Sequence, residues 1–152
     1  MGKINLGRVF LGGIAAGAFT VVVQYIAVFL GLSVGLRKVT GVAHYSVAAQ
    51  LTFAGVVVLV GGPLAIWLYA AIRPRFGAGP RTAIITAVWI WLALGPYEQT
   101  VVSTIGLVKP MPLGMLVAMD IASLPFIIAA VLIGAWLYKE EGTAAGAKAT
   151  AR

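Results

Sequence analysis

No cysteine occurs in the chain, and histidine occurs once, at His44. Disulfides, thiolate catalysis, iron–sulfur clusters and Cys-ligated zinc are thereby excluded, and thiols say nothing about redox compartment. Charge is nearly as sparse. The 11 Lys and Arg and 4 Asp and Glu together make up 10% of 152 residues, against about 25% in a soluble domain. The hydrophobic share is 61% and the mean hydropathy is +1.03. Within these residues there is no room for a soluble catalytic head. A net charge of +7 would suggest nucleic acid in a soluble protein. Here, however, the bases sit at the ends of apolar runs and are not interleaved with aromatics, so they are expected to set topology and meet anionic headgroups. Nucleic acid is not an expected partner.

Enzyme constellations are missing one by one. There is no His/Asp/Ser set, no H-E-x-x-H, no Walker loop and no Gly-rich strand-to-helix turn. Ser33, Ser46, Ser103 and Ser123 have no base near them in sequence. No catalytic residue is expected. His44 is a candidate metal ligand through its neutral imidazole, but no Cys or carboxylate stands near it, and a solvated interfacial histidine explains it as well. No metal site is expected.

What the chain does have is four long apolar stretches, 9–36, 46–72, 82–108 and 113–138, which hold two acidic residues and no Lys or Arg. Each exceeds the roughly 20 residues that a helix needs to cross a bilayer core. The expected fold is an all-α integral membrane protein: four transmembrane helices in an up-down-up-down bundle over residues 1–138, with proline-kinked helices. Residues 139–152 form a small, polar, low-complexity tail, expected to be cytoplasmic and disordered on its own. The basic start at Lys3 and Arg8 imitates a signal peptide. Its apolar run is too long for one and no A-x-A-like site closes it, so a retained first span is expected.

Basic residues set the orientation. Lys3, Arg8, Arg73, Arg75, Arg81, Lys139, Lys148 and Arg152 fall on one side, and Arg37, Lys38 and Lys109 on the other. The positive-inside bias then puts both termini in the cytoplasm. Trp67, Tyr69, Trp136 and Tyr138 cluster at the cytoplasmic ends of spans two and four, where an interfacial aromatic belt belongs. Arg73–Pro80 reads as a Pro/Gly loop, with Pro80 placed to start the next helix.

Three features depart from plain oily helix. Gly13/Gly17 and Gly31/Gly35 stand four apart in span one, a spacing that grooves one helix face for close backbone approach. The groove suits packing inside the bundle or against another subunit. Pro63, Pro96 and Pro125 interrupt three spans near their middles. Each deprives the carbonyl four residues earlier of its donor, at Leu59, Leu92 and Ile121. Such carbonyls could line a polar path, or the prolines could be simple kinks. At Gly95-Pro96 a kink is expected rather than a helix end, because 82–94 alone is too short to span.

The sharpest departure is Glu98 in span three with Asp120 in span four. At 1.5 Å per residue both lie roughly 10–14 Å below the outer surface, with no base at that depth. Gln24, Gln50, Gln99, Thr100 and Tyr97 are the expected polar support. A buried acid costs about 2.5–3.5 kcal/mol or more in hydrocarbon. The pair therefore reads as a proton or cation site, as a contact to a partner or cofactor, or as a protonated pair inside the bundle. Trp89 and Trp91, two apart, face different sides and read as packing or lipid contact.

The opening Lys3-Ile-Asn-Leu-Gly-Arg-Val-Phe-Leu-Gly-Gly13, running on to Ala16-Gly17, resembles the first span of small bacterial membrane proteins. The resemblance implies a bacterial inner membrane and no particular activity. Three functions fit these residues. One is a non-catalytic accessory subunit of a respiratory, photosynthetic or transport complex, packed through small-residue faces. Another is an oligomeric proton- or cation-conducting protein using Glu98 and Asp120. The third is a binder of lipid, quinone or pigment between helices; no cofactor is otherwise specified.

Overall fold

The computed structural model describes residues 4–29, 47–104 and 113–138. Gly31, Gly35, His44 and the tail 139–152 lie outside the described residues, as do the side chains of Gln50, Pro96, Tyr97, Glu98, Gln99 and Thr100. All regular structure among the described residues is helical: α1 (Leu6–Phe29), α2 (Val47–Val56), a π-helical turn (Val57–Gly61), α3 (Gly62–Phe76), α4 (Pro80–Thr104) and α5 (Leu113–Leu137). Helix is the form in which an apolar segment satisfies its own backbone without water. Among the described residues, three stretches are long and apolar enough to cross a membrane: Leu6–Ile26, Ala54–Phe76 and Asp120–Leu137. The apolar part of α4, Pro80–Gly95, is shorter.

The ends follow from local chemistry. Asn5 caps α1, its Oδ1 accepting the Arg8 N–H at 3.0 Å. The expected Arg73–Pro80 loop is shorter than its composition suggested, because α3 continues through Arg73, Pro74 and Arg75 to Phe76. Termination waits for Gly77, at φ 84° and ψ 168°, a conformation open essentially to glycine alone. Pro80 then opens α4, as expected. Helix α4 runs on through Gly95 and Pro96, so that pair does not end it.

The π turn has a local cause. Gly62 sends its N–H to the Val57 carbonyl, five residues back instead of four, and Pro63, next in the chain, has no N–H to give. Val58 and Leu59 thereby both lose their α-helical donors. The reading that assigned Leu59 alone missed this second carbonyl.

Packing is by close backbone approach. A carbon added at Gly13 would overlap Pro63, and one at Gly17 would come within 2.6 Å of Val58 Cα. The contact order reverses along the two segments, so α1 lies antiparallel to the π turn and α3. On the neighbouring stripe of α1, Gly12 and Gly134 of α5 each press on the other's carbonyl. The Ile66 side chain of α3 also rests on Gly134. Contacts join α1 to α3, α3 to α4, α4 to α5 and α5 back to α1. The sealed centre is small: Val9, Ala65, Ile66, Tyr69, Ala70, Ala83, Ala87, Val131 and Tyr138. Large apolar side chains such as Phe10, Leu59, Trp89, Phe126 and Trp136 point outward, the inverse of a soluble domain and the arrangement a lipid solvent permits.

Candidate functional site

Three places on this scaffold carry more than packing. The first is the α4–α5 seam, where Asp120 sits partly buried. A carbon added at Gly95 would stand 3.6 Å from Asp120 Oδ1, an ordinary van der Waals contact, so the carboxyl lies against α4 at the level of Gly95. One turn further back, Trp91 donates its indole N–H to the Asp120 backbone carbonyl at 2.7 Å. Ser123 Oγ donates to the same carbonyl, also at 2.7 Å. Five residues after Asp120, Pro125 interrupts the α5 ladder.

Trp91 and Ser123 are the seam residues that sequence reasoning missed. The usable signal was chemical: an indole N–H in hydrocarbon needs an acceptor. Of two tryptophans on opposite faces only one can reach inward, and Trp89, 64% exposed, is the other. Position 98 is seven residues beyond Trp91 in an unbroken helix, so its backbone stands on the same stripe. Gln24 is exposed on α1.

The second place is the basic end. Tyr69 and Tyr138, expected in an interfacial belt, are instead buried, at 3% and 4% exposure. Their rings meet edge to face at 6.0 Å, and the Arg73 guanidinium lies 5.6 Å from the Tyr138 ring centre. The Tyr69 hydroxyl accepts the Gly79 N–H at 3.3 Å, and Thr82 Oγ1 donates to the Gly77 carbonyl at 2.7 Å. Trp67 and Trp136 do face outward. Of the four, the two tryptophans therefore have the exposure that a belt requires. Facing depends on helix rotation, which the sequence does not set.

The third is a lateral groove of about 240 Å³ between α3 and α4, lined by Gly61, Leu64, Ala65 and Leu68 on one wall and Ile90, Ala93 and Leu94 on the other, with Trp67 and Trp89 also lining it. Its chemistry is apolar throughout, suited to an acyl chain or the side chains of another membrane helix. Among the described residues, no three His, Cys, Asp or Glu gather in a way that could hold a metal ion.

No protein-family model, curated protein or solved structure matches the chain. Function must therefore be argued from these three places and the surfaces around them. Gly13 and Gly17 abut Pro63 and Val58 of the same chain, so that face of α1 is covered from within. Between α3 and α4 an apolar groove is left uncovered among the described residues.

Proposed function

We propose that this chain is a bacterial inner-membrane protein of four spans with both termini cytoplasmic, acting as a non-catalytic accessory subunit of a larger membrane complex. The observation that carries the reading is the lateral groove between α3 and α4 beside Trp67 and Trp89. The seams of α1 with α3 and α5 are closed by glycine contacts, whereas this groove opens outward and can receive a neighbour. In lipid, helices associate by van der Waals fit rather than by a hydrophobic drive, and a groove of this kind receives the knobs of a partner helix. This shifts the partner surface away from Gly13 and Gly17.

The test is native mass spectrometry after gentle-detergent extraction, paired with a photo-crosslinking residue at Ala93 in the groove and, as control, at Ile14 on the exposed side of α1. The expected result is one recurring subunit attached at position 93 and none at 14. A homogeneous particle without foreign subunits removes the accessory reading.

A second reading is favoured by one observation, the Asp120 carboxyl lying in the α4–α5 seam against Gly95. In it, Asp120 with Glu98 binds a proton or cation, since intramembrane acids commonly mark such paths. Reconstituted flux of the wild type against Asp120→Asn and Glu98→Gln decides. Loss of flux in either variant supports conduction, and identical flux in all three eliminates it.

A further inference from the structure

The helical run from Val47 to Phe76 is continuous, yet it is built in two parts that meet at the π turn Val57–Gly61. On the α3 side the run is clamped. A carbon added at Gly62 would run into the Gly13 carbonyl, one at Gly13 into Pro63, and one at Gly17 into Val58 and the Val57 carbonyl. Gly62 and Pro63 are buried. One turn on, the fully buried Ile66 rests on Gly134 of α5. The α2 side is held differently. Among the described residues, α1 packs along α3 and the π turn, whereas the packing of α2 is with the π turn itself. Leu51, Val56, Leu59 and Val60 are exposed, and Gly55 and Gly61 have nothing within 4 Å of where a Cβ would stand.

Between the two parts the ladder is already open. Gly62 donates to Val57 rather than to Val58, and Pro63 has no N–H to offer Leu59. The two hydrogen bonds that would tie residue 58 to 62 and residue 59 to 63 are therefore absent. An intact helix in hydrocarbon resists bending, because a broken backbone bond finds no water to replace it. A tilt at this turn breaks neither of those two bonds. Sharp bends in helices occur at such π turns and at prolines, and here the two are adjacent. Gly61, inside the turn, is also one of the residues lining the α3–α4 groove, so bending there moves one end of the groove wall.

We infer that the π turn Val57–Gly61 is a hinge about which α2 tilts against the clamped α3, and that the tilt sets the width of the α3–α4 groove at its Gly61 end. The hinge does not depend on what the groove receives or on conduction, so failure of either of those readings leaves it standing.

The experiment is double electron–electron resonance on the full chain in bilayer nanodiscs, with spin labels on introduced cysteine pairs, since the chain has no cysteine of its own. Hinge motions are slow enough for rapid freezing to trap their spread of positions. Leu51→Cys/Ile121→Cys joins α2 to α5, and Leu64→Cys/Ile133→Cys joins α3 to α5 below the turn; all four positions are exposed. The first pair should give a markedly broader distance distribution than the second. Leu51→Cys/Leu94→Cys, across the mouth of the groove, should be as broad as the first. Pro63→Ala supplies the missing N–H, and Gly61→Ala stiffens the turn without meeting a neighbour. Each should narrow the first and third pairs toward the width of the second, which in the same variant reports whether the bundle is intact. If the first pair is as narrow as the second in the unsubstituted chain, or the second is as broad as the first, there is no hinge against a clamped base. Unchanged widths in both Pro63→Ala and Gly61→Ala move the bend away from the π turn and overturn its assignment. A narrow third pair beside a broad first one severs the hinge from the groove.

Discussion

At the scale of single residues, glycines with the same sequence appearance do opposite work. Gly13 faces Pro63 with no space for a Cβ, whereas Gly55 in α2 has nothing within 4 Å of where one would stand. Gly13→Ala forces two helix backbones apart and should cost about 1–3 kcal/mol, the range for overpacking. Gly55→Ala should gain roughly 0.5–1 kcal/mol from helix propensity alone. Thermal melts in one detergent check both; equal shifts would mean that the α1–α3 seam is not a close contact. The tryptophans divide in the same way. Brominated lipid should quench single-Trp chains retaining Trp89 or Trp136 strongly, and one retaining Trp91 weakly, because Trp91 turns its N–H to Asp120 while the other two are 64% and 81% exposed. Strong quenching of Trp91 would place it on the lipid face and dissolve the seam. The four-residue glycine spacing and the acid at Asp120 were legible in the sequence. Which neighbour each would meet was not, because facing is fixed by rotations of the helices about their axes, and near-uniform apolar helices carry almost no periodic signal to set those rotations.

At the scale of elements, the apolar runs located the helices to within a few residues wherever the structure describes them. The misses occur at prolines. Pro74 looked like part of a loop because Pro and Gly cluster around it, yet α3 runs through it to Phe76. Pro63 looked like a simple kink, but it follows a π turn that diverts the Gly62 N–H as well. In both places a proline marks a disturbed ladder without saying how the chain repairs it, since that depends on what packs alongside. At Val57 and Val58 the neighbour is Gly17, which admits the widened turn. The real stop signal between α3 and α4 is Gly77. Gly77→Ala should cost about 1–3 kcal/mol, because its φ and ψ suit essentially only glycine. Ala78→Gly in the same turn should cost less than about 1 kcal/mol. A melt in which the two variants shift equally would show that the bend tolerates a side chain at Gly77 and that the turn is not fixed there.

At the scale of the whole molecule, two asymmetries coincide. Buried side chains such as Tyr69, Thr82 and Tyr138 concentrate toward the end that carries Arg73, Arg75 and Arg81, whereas the acid-bearing seam lies toward the opposite end. A bundle braced at its charged end has a defined polarity, and insertion has to choose which end stays inside. The excess of eight bases over three across the expected connections favours keeping the α3–α4 turn in the cytoplasm. A chain without cysteine is already suited to the measurement, because any thiol introduced is the only one present. Ala78→Cys, exposed in the turn, should resist a membrane-impermeant maleimide in intact cells and react once the membrane is opened. Lys38→Cys, in the connection expected outside, should react in intact cells. The reverse pattern would invert the molecule: the arginine turn would then face the outer leaflet, and the depth shared by Glu98 and Asp120 would be counted from the cytoplasm.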